Sequence, residues 1–274
     1  MVEKVEFLKA DLTAHAPLVI AYSGGVDSAF LLAIAHETLG EKMLGVIADS
    51  PSLPRRALAD ALALAKQIGA NVEVSETHEM QDQRYVNNPL NRCYFCKAEL
   101  FTKLDSLARE RGFAAIAYGE NADDAHQFRP GRKAADEFAV LAPLKDAGLT
   151  KKEIRALSRK LGLPTADAPA QPCLSSRIPH GTPVTLGELA MIEHGEEFVR
   201  SLGFKVFRVR HIARDAESGS ENAGGENFPS ARVQISPDEM TRVEPFADSL
   251  VTGLRALGYR SVEIDPAGYR GPSL

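Results

Sequence analysis

The 274-residue sequence lacks a long apolar run, an export signal and a strong excess of charge of one sign. Its longest apolar stretch, residues 29–35, is too short to span a bilayer, and no apolar segment follows the acidic first residues. A formal net charge of −5 argues against nucleic acid or an anionic membrane surface as a partner. With 44% apolar and 25% charged residues, the composition is that of an ordinary globular protein, and we expect it to be cytoplasmic.

Cysteine is also scarce, since the sequence has only Cys93 and Cys96 in a C-x-x-C pair and Cys173 far along the chain. An odd number of cysteines without an export signal does not make a disulfide framework, which predicts thiols or metal ligands in a reducing compartment. Three thiolates without a fourth favour a metal site with one open position, either zinc or an iron–sulfur cluster with one iron free. The alternative is three unrelated buried thiols.

Apolar runs of strand type alternate with helical patterns in the first two thirds of the chain. This alternation predicts βαβ units, and therefore a parallel α/β sheet with helices on both faces, over residues 1–165. The predicted elements are strands at residues 18–22, 43–48, 71–74 and 114–118, and helices at residues 28–39, 54–69, 97–111 and 151–161. Ligands bind such sheets at the carboxyl ends of the strands.

A Pro/Ala-rich joint at residues 164–172 separates this domain from a smaller C-terminal α+β domain at residues 173–274. Within the second domain, residues 215–230 are rich in Gly, Ser, Glu and Asn, which predicts a mobile insertion. The predicted elements around it are helices at residues 185–202 and 237–257, and strands at residues 205–211, 232–235 and 261–264.

The most specific motif is Ser-Gly-Gly-Val-Asp-Ser, between a predicted buried strand and a predicted helix. Gly24 and Gly25 allow a tight turn that points consecutive N–H groups at an anion, and the helix start adds its positive end. Ser23 and Ser28 supply hydroxyl donors, and Asp27 can hold the Mg²⁺ that accompanies a nucleotide. The alternative is a plain glycine turn capped by Ser and Asp; the sequence contains no Walker A loop.

This motif resembles the loop of the PP-loop ATP pyrophosphatases, which have an adenine nucleotide alpha hydrolase-like fold. The resemblance implies that ATP is cleaved to AMP and pyrophosphate and that a substrate is adenylated. In the same superfamily a G-x-N-x-D-D segment lies beside the nucleotide, and Gly119, Asn121 and Asp124 match it, with an ordinary polar loop as the alternative. Arg129 and Lys145 could meet the phosphates of ATP or simply be solvated. Lys151 and Lys152 open a helix whose pattern resembles one of this superfamily, in which one such lysine approaches ATP.

A wider set of motifs resembles the LarE family over residues 17–271. The matching segments are SGGVDS at residues 23–28, RCYFCK at residues 92–97, CLSSRIPHG at residues 173–181, RVR at residues 208–210 and GYR at residues 268–270. The resemblance implies an ATP-dependent sulfur transferase that acts on pyridinium-3,5-biscarboxylic acid mononucleotide, in the synthesis of the nickel-pincer nucleotide cofactor. It also implies a homo-oligomer.

The source of the sulfur is implied by the same resemblance. Family members with three cysteines hold a [4Fe-4S] cluster, here on Cys93, Cys96 and Cys173, whose open iron binds sulfide from a sulfide donor. Members with one cysteine, at the position of Cys173, instead sacrifice its sulfur and are left with dehydroalanine. The sequence departs from the family pattern at Gln234, where the usual residue is Glu.

Several polar residues of the second domain are candidates for the site. Arg208 and Arg210 are two apart on a predicted strand, so they share one face and suit the phosphate of a mononucleotide, with an exposed sheet face as the alternative. Ser176 and Arg177 follow Cys173 directly and would lie beside the sulfur centre. Glu196 could orient a metal or the substrate, or it could be a solvated helix residue.

Three other functions stay open at this point. A PP-loop tRNA thiolase shares the loop and often three cysteines, but an acidic chain without a second C-x-x-C pair disfavours it. An amidating synthetase of the NAD or GMP type would need neither three thiols nor the paired arginines at residues 208 and 210. A nucleotide-binding sensor with a structural metal would bind ATP without turnover.

Overall fold

The chain folds as two units. The first unit consists of Met1–Tyr85 and Leu90–Pro169, and the second of Val86–Pro89 and Ala170–Leu274. The computed structural model describes residues 1–126, 130–213 and 228–269. Arg129, Arg270 and residues 215–227 of the predicted insertion lie outside the described residues.

The first unit contains a parallel sheet of four strands in the order β3-β2-β1-β4. Its strands are β1 Leu18–Ala21, β2 Met43–Asp49, β3 Val72–Glu76 and β4 Ala115–Tyr118. The prediction of a parallel α/β sheet is confirmed, and each strand begins and ends within two residues of its predicted position. Because β1 and β4 are neighbours, the loops that follow them leave the same edge of the sheet side by side.

Helices cover both faces of this sheet. The helices up to residue 160 are α1 Val2–Ala14, α2 Val26–Leu39, α3 Arg55–Ile68, α4 Gln83–Val86, α5 Arg92–Arg111, α6 Pro130–Glu137, α7 Pro143–Asp146 and α8 Lys151–Lys160. Successive side chains of β1 point to opposite faces, so Leu18 and Ile20 pack in a core with α1, α2, α3 and α8. Val19 packs in a second core with α5 and α6.

The second unit contains a three-stranded sheet in which β6 is central. Its elements are α9 Leu186–Ser201, β5 Phe207–Ala213, β6 Pro229–Ile235, α10 Ala247–Ala256 and β7 Ser261–Ile264. Strand β5 runs antiparallel to β6, and β7 runs parallel to it. Val199 of α9 and Leu250 of α10 pack with Val209 and Val233 of the sheet in one core. No helix among the described residues is both long and apolar enough to cross a membrane.

Two helices begin five or more residues away from their predicted first residue. The helix predicted from residue 237 begins at Ala247, after 3-10 turns at Pro237–Arg242 and Glu244–Phe246. Pro245 explains the delay, because it has no N–H for an α-helical hydrogen bond and disfavours the helical conformation of the residue before it. Helix α5 begins at Arg92 instead of residue 97, which places the C-x-x-C pair on its first turn.

An ion pair joins the first helix of the chain to α8. Thr150 and Glu153 form a capping box at the start of α8, and Lys4 Nζ donates to both Glu153 oxygens at 2.9 and 2.8 Å. The hydrogen bond from Lys4, followed by that from the Thr150 N–H, lowers the pKa of Glu153 from 4.5 to about 2. The charged carboxylate therefore stabilises the folded state above the pKa of the unfolded chain.

We expect Glu153→Gln to remove this pH-dependent stabilisation while keeping the capping acceptor. Wild type should be the more stable protein above about pH 5, and its advantage should shrink as the pH falls from 4.5 towards 2, because the wild-type carboxylate becomes protonated there. Urea unfolding of both proteins across this pH range measures the difference. A difference that stays constant from pH 6 to about pH 2 would contradict the assignment.

Candidate functional site

The Ser-Gly-Gly-Val-Asp-Ser loop connects β1 to α2 and is held in a tight turn. Gly24 has a φ of +74°, and a Cβ at this position would lie 2.7 Å from Ala61 Cβ in α3. Ser28 Oγ lies 3.0 Å from Ser23 Oγ, accepts a hydrogen bond from the Ser23 N–H at 3.2 Å and donates to the Gly25 carbonyl at 3.1 Å. No side chain caps the start of α2, so its first amides remain available to an anion.

Asp27, on the first turn of α2, is held through one carboxylate oxygen. Oδ2 accepts hydrogen bonds from Lys151 Nζ at 2.7 Å and from Asn121 Nδ2 at 3.2 Å. Oδ1 is buried without a hydrogen-bond partner. A buried carboxylate oxygen of this kind calls for a cation, and carboxylate oxygens are the ligands that Mg²⁺ prefers. The donor set at Asp27 therefore fits the magnesium ion that accompanies ATP.

The loop after β4 carries the second part of the nucleotide motif. Asn121 donates to Asp124 Oδ2 at 3.0 Å, besides its bond to Asp27, and both Asn121 and Asp124 are buried. A Cβ on Gly119 would lie 2.8 Å from the backbone nitrogen of Ser28 and 2.9 Å from its Cα. Only glycine allows this approach of two backbones, so the structure brings together the two motifs that the sequence places far apart.

Glu120 is a buried residue of this loop that the sequence analysis missed. It accepts hydrogen bonds from the Tyr118 hydroxyl and from Arg132 Nε, and Lys145 Nζ lies 3.7 Å away. Burial acts to raise the pKa of Glu120, but the hydrogen bonds from Tyr118 and Arg132 outweigh it and the pKa is lowered. The Glu120 carboxylate thus holds Lys145 beside the loop that follows β4. In the sequence, the only sign of this ion pair was an acidic residue between Gly119 and Asn121.

The cysteines of the C-x-x-C pair lie in the first unit, on the first turn of α5. Cys93 is exposed and Cys96 half-buried, and their spacing of three places both on one face of the helix. Cys173 lies in the second unit, half-buried, directly before a 3-10 turn at Leu174–Arg177. Within the described residues, no three His, Cys, Asp or Glu side chains are arranged to hold a metal ion.

A buried ion pair fixes the backbone around Cys173. Arg177 Nε and Nη2 donate to the two oxygens of Glu196 at 2.8 and 2.9 Å, and both side chains are at most 8% exposed. Arg177 Nη1 donates to the carbonyls of Pro172 at 2.6 Å and Cys173 at 3.0 Å, and to Ser176 Oγ at 3.0 Å. All three guanidinium nitrogens are therefore used inside the second unit, so Arg177 and Glu196 position the Cys173 segment.

Arg208 and Arg210 share the face of β5 that lies opposite its apolar core residues. Arg208 is buried, lies over the ring of Tyr269 at 4.7 Å from its centroid, and has an Nε without a hydrogen-bond partner. Arg210 is half-buried, and its Nη1 donates to the Ser176 carbonyl at 2.9 Å. Burial, and then the charge of Arg177, lowers the pKa of both arginines. An anion would relieve this unfavourable positive charge.

The parallel sheet, the glycine loop at the start of α2 and the half-buried Asp27 define the chain as a PP-loop ATP pyrophosphatase. A family model described as NAD synthase matches residues 1–124. The pyridinium-3,5-bisthiocarboxylic acid mononucleotide synthase of Lactiplantibacillus plantarum is 30% identical over 92% of this chain and 87% of its own. The chain belongs to the family of that synthase, the LarE family.

Two further relatives show how far the similarity extends. The uncharacterized protein slr1717 of Synechocystis is 38% identical over 93% of this chain and 91% of its own. A glutamine-hydrolyzing GMP synthase component of Methanococcus vannielii is 25% identical over 62% of this chain and 57% of its own. The similarity to the GMP synthase component is therefore partial, whereas the matches to slr1717 and to the Lactiplantibacillus plantarum synthase cover nearly the whole chain.

We expect Gly119→Ala to destabilise the protein by about 1–3 kcal/mol, because the new methyl group would overlap the Ser28 backbone. Gly187→Ala is the matched control, since a Cβ at this position in α9 meets nothing within 4 Å. Gly187→Ala should leave the free energy of unfolding unchanged or raise it by up to about 1 kcal/mol. Urea unfolding of both variants measures the change, and equal stabilities would show that the two loops do not need this close approach.

Proposed function

We propose that this protein is an ATP-dependent sulfurtransferase. It adenylates a carboxylate of pyridinium-3,5-biscarboxylic acid mononucleotide, releases pyrophosphate and converts the carboxylate into a thiocarboxylate. The observation that carries the proposal is the match over 92% of the chain to a protein named pyridinium-3,5-bisthiocarboxylic acid mononucleotide synthase. The glycine loop and the buried arginines support the two requirements of this reaction, a site for ATP and a site for an anionic substrate.

The first step forms an acyl-adenylate. A substrate carboxylate oxygen attacks the α-phosphorus of ATP, the bond from that phosphorus to the bridging oxygen breaks, and pyrophosphate leaves with the electron pair. The start of α2 and the hydroxyls of Ser23 and Ser28 are suited to bind the leaving pyrophosphate. Mg²⁺, when bound, would neutralise phosphate charge, and Asp27 Oδ1 would hold it.

The second step replaces AMP by sulfur. Sulfide attacks the acyl carbon, and AMP leaves with the oxygen that the substrate contributed, so the product is a thiocarboxylate. AMP is a good leaving group, whereas the oxide of a bare carboxylate is not. The segment from Cys173 to Ser176 is held by the Arg177–Glu196 ion pair, which suits a residue that must keep its place near the reacting carbon.

Cys93, Cys96 and Cys173 would hold a [4Fe-4S] cluster. Their thiols fit the donor set of such a cluster, and the exposed Cys93 and half-buried Cys96 lie on one helical turn. When bound, the cluster would supply sulfide at the iron that no cysteine ligates. A reducing cytoplasm suits this chemistry, since thiolates must stay reduced.

Two alternatives are tested with this proposal. Sacrifice of the Cys173 sulfur would need neither Cys93 nor Cys96. A PP-loop tRNA thiolase would need a basic surface for RNA, which the net charge of −5 and the isolated C-x-x-C pair do not favour.

We expect Asp27→Asn to lower pyrophosphate release by about a hundredfold, because the metal-binding charge is lost while the shape of the side chain is kept. Asp60→Asn is the control, since Asp60 lies on α3 with 66% of its side chain exposed. Nucleotide products are separated by chromatography, and circular dichroism checks the fold. Retained pyrophosphate release in the Asp27 variant would reject the metal-binding role of Asp27, and ADP with free phosphate as products would reject the adenylation step.

A cluster that takes up external sulfide predicts a different outcome for the three cysteines than sacrifice of the Cys173 sulfur does. With external sulfide we expect many turnovers, an unchanged protein mass, and loss of thiocarboxylate formation in Cys93→Ala, Cys96→Ala and Cys173→Ala alike. Mass spectrometry of the protein after turnover, with anaerobic absorption spectra and iron analysis, measures this. Loss of the mass of one H₂S at Cys173, with the other two variants still active, would overturn the cluster in favour of sacrifice.

A further inference from the structure

Three guanidinium groups of the second unit influence one another, and one buried carboxylate neutralises only part of their charge. Glu196 takes both of its hydrogen bonds to side chains from Arg177. Arg208 donates instead to the carbonyls of Phe207 at 2.6 Å and Ala170 at 2.7 Å. Because carbonyls carry no net charge, Arg208 and Arg210 have no ion-pair partner within the part of the chain that the structure describes.

Arg210 is fixed from its other side by an amide. Its Nε donates to Gln234 Oε1 at 2.9 Å, and Gln234 Nε2 donates to Asp265 Oδ2 at 2.8 Å. Asp265 is itself held, since its Oδ1 accepts the Ala267 N–H at 2.9 Å. The three side chains lie on adjacent strands and the turn after β7, so the chain of hydrogen bonds runs across the sheet.

The Gln234 amide separates the positive charge of Arg210 from the negative charge of Asp265. A guanidinium only donates hydrogen bonds and a carboxylate only accepts them. The Gln234 amide does both, so it can lie between Arg210 and Asp265 and bind each of them. Since the attraction between charges falls with distance, Asp265 orients Arg210 without cancelling its charge as a direct partner would. A carboxylate at position 234 would form that direct pair.

We propose that Gln234 and Asp265 tune this site for a dianionic phosphate monoester. Among the described residues, Arg177, Arg208, Arg210 and Glu196 together carry two net positive charges, which match a phosphate monoester at neutral pH and exceed the charge of a diester or a carboxylate. The inference rests on the proposed function, in which the second unit binds the phosphate of a mononucleotide. Gln234 and Asp265 are positioning residues that act through Arg210.

The test compares nicotinic acid mononucleotide with nicotinic acid riboside, which lacks the phosphate, by calorimetry at pH 8. The decisive variant is the double swap Q234E/D265N. It keeps the net charge of the chain and restores an amide donor at position 265, but it places the carboxylate directly on Arg210. Glu263→Gln is the control, because Glu263 is an exposed β7 carboxylate paired with Arg232 on the surface.

We expect wild type and the Glu263 variant to prefer the mononucleotide, and the double swap to lose about tenfold of that preference, with ATP affinity unchanged. An unchanged preference in the double swap would overturn the role of Gln234 and leave the phosphate site in place. Equal affinity of wild type for both ligands would instead overturn the phosphate site itself. Arg208→Ala separates the two cases, because it should lose the preference whenever the phosphate site exists.

Discussion

The nucleotide site depends on the contact between two backbones, that of Gly119 after β4 and that of Ser28 in the first turn of α2. A side chain at position 119 would lie within 3 Å of Ser28, so the two segments can meet only at glycine. This contact brings Asn121 to Asp27, and Lys151 completes the group from α8. One oxygen of Asp27 is thereby fixed, and the other is buried without a hydrogen-bond partner.

The second unit depends in a similar way on one buried ion pair, Arg177–Glu196. Burying an ion pair is costly, and a pair such as Arg177–Glu196 is tolerated only when its remaining donors are also satisfied. Here the remaining Arg177 nitrogen binds the backbone on either side of Cys173. The ion pair consequently holds the segment that carries Cys173, while Arg208 and Arg210 donate to backbone carbonyls and form no ion pair within the described residues.

Periodicity and the glycine loop were enough to predict the parallel sheet, its strands and the PP-loop class of the chain. The start of α5 was predicted five residues too late: its N-cap residue, Asn91, is of a preferred capping type, but its side chain makes no capping hydrogen bond. Pro245 was present in the sequence as a signal against one helix over residues 237–257, and the α-helix begins only after it, at Ala247.

Contacts between residues distant in sequence were also beyond prediction. Glu120 with Arg132, and Gln234 with Asp265, depend on which loops and strands become neighbours in the fold. For the same reason Glu196, considered from sequence as a metal or substrate ligand or a solvated residue, lies in a buried ion pair. Local patterns specify elements, whereas the charge of a site is set by side chains that arrive from several of them.

The central claim is that a substrate carboxylate is adenylated, and oxygen-18 in the carboxylates of the substrate tests it most directly. The carboxylate oxygen that attacks ATP stays on phosphorus when sulfide displaces AMP. The account therefore predicts one labelled oxygen in each AMP released, measured by mass spectrometry alongside the thiocarboxylate. Thiocarboxylate formed with unlabelled AMP, or with the label in free phosphate, would contradict it.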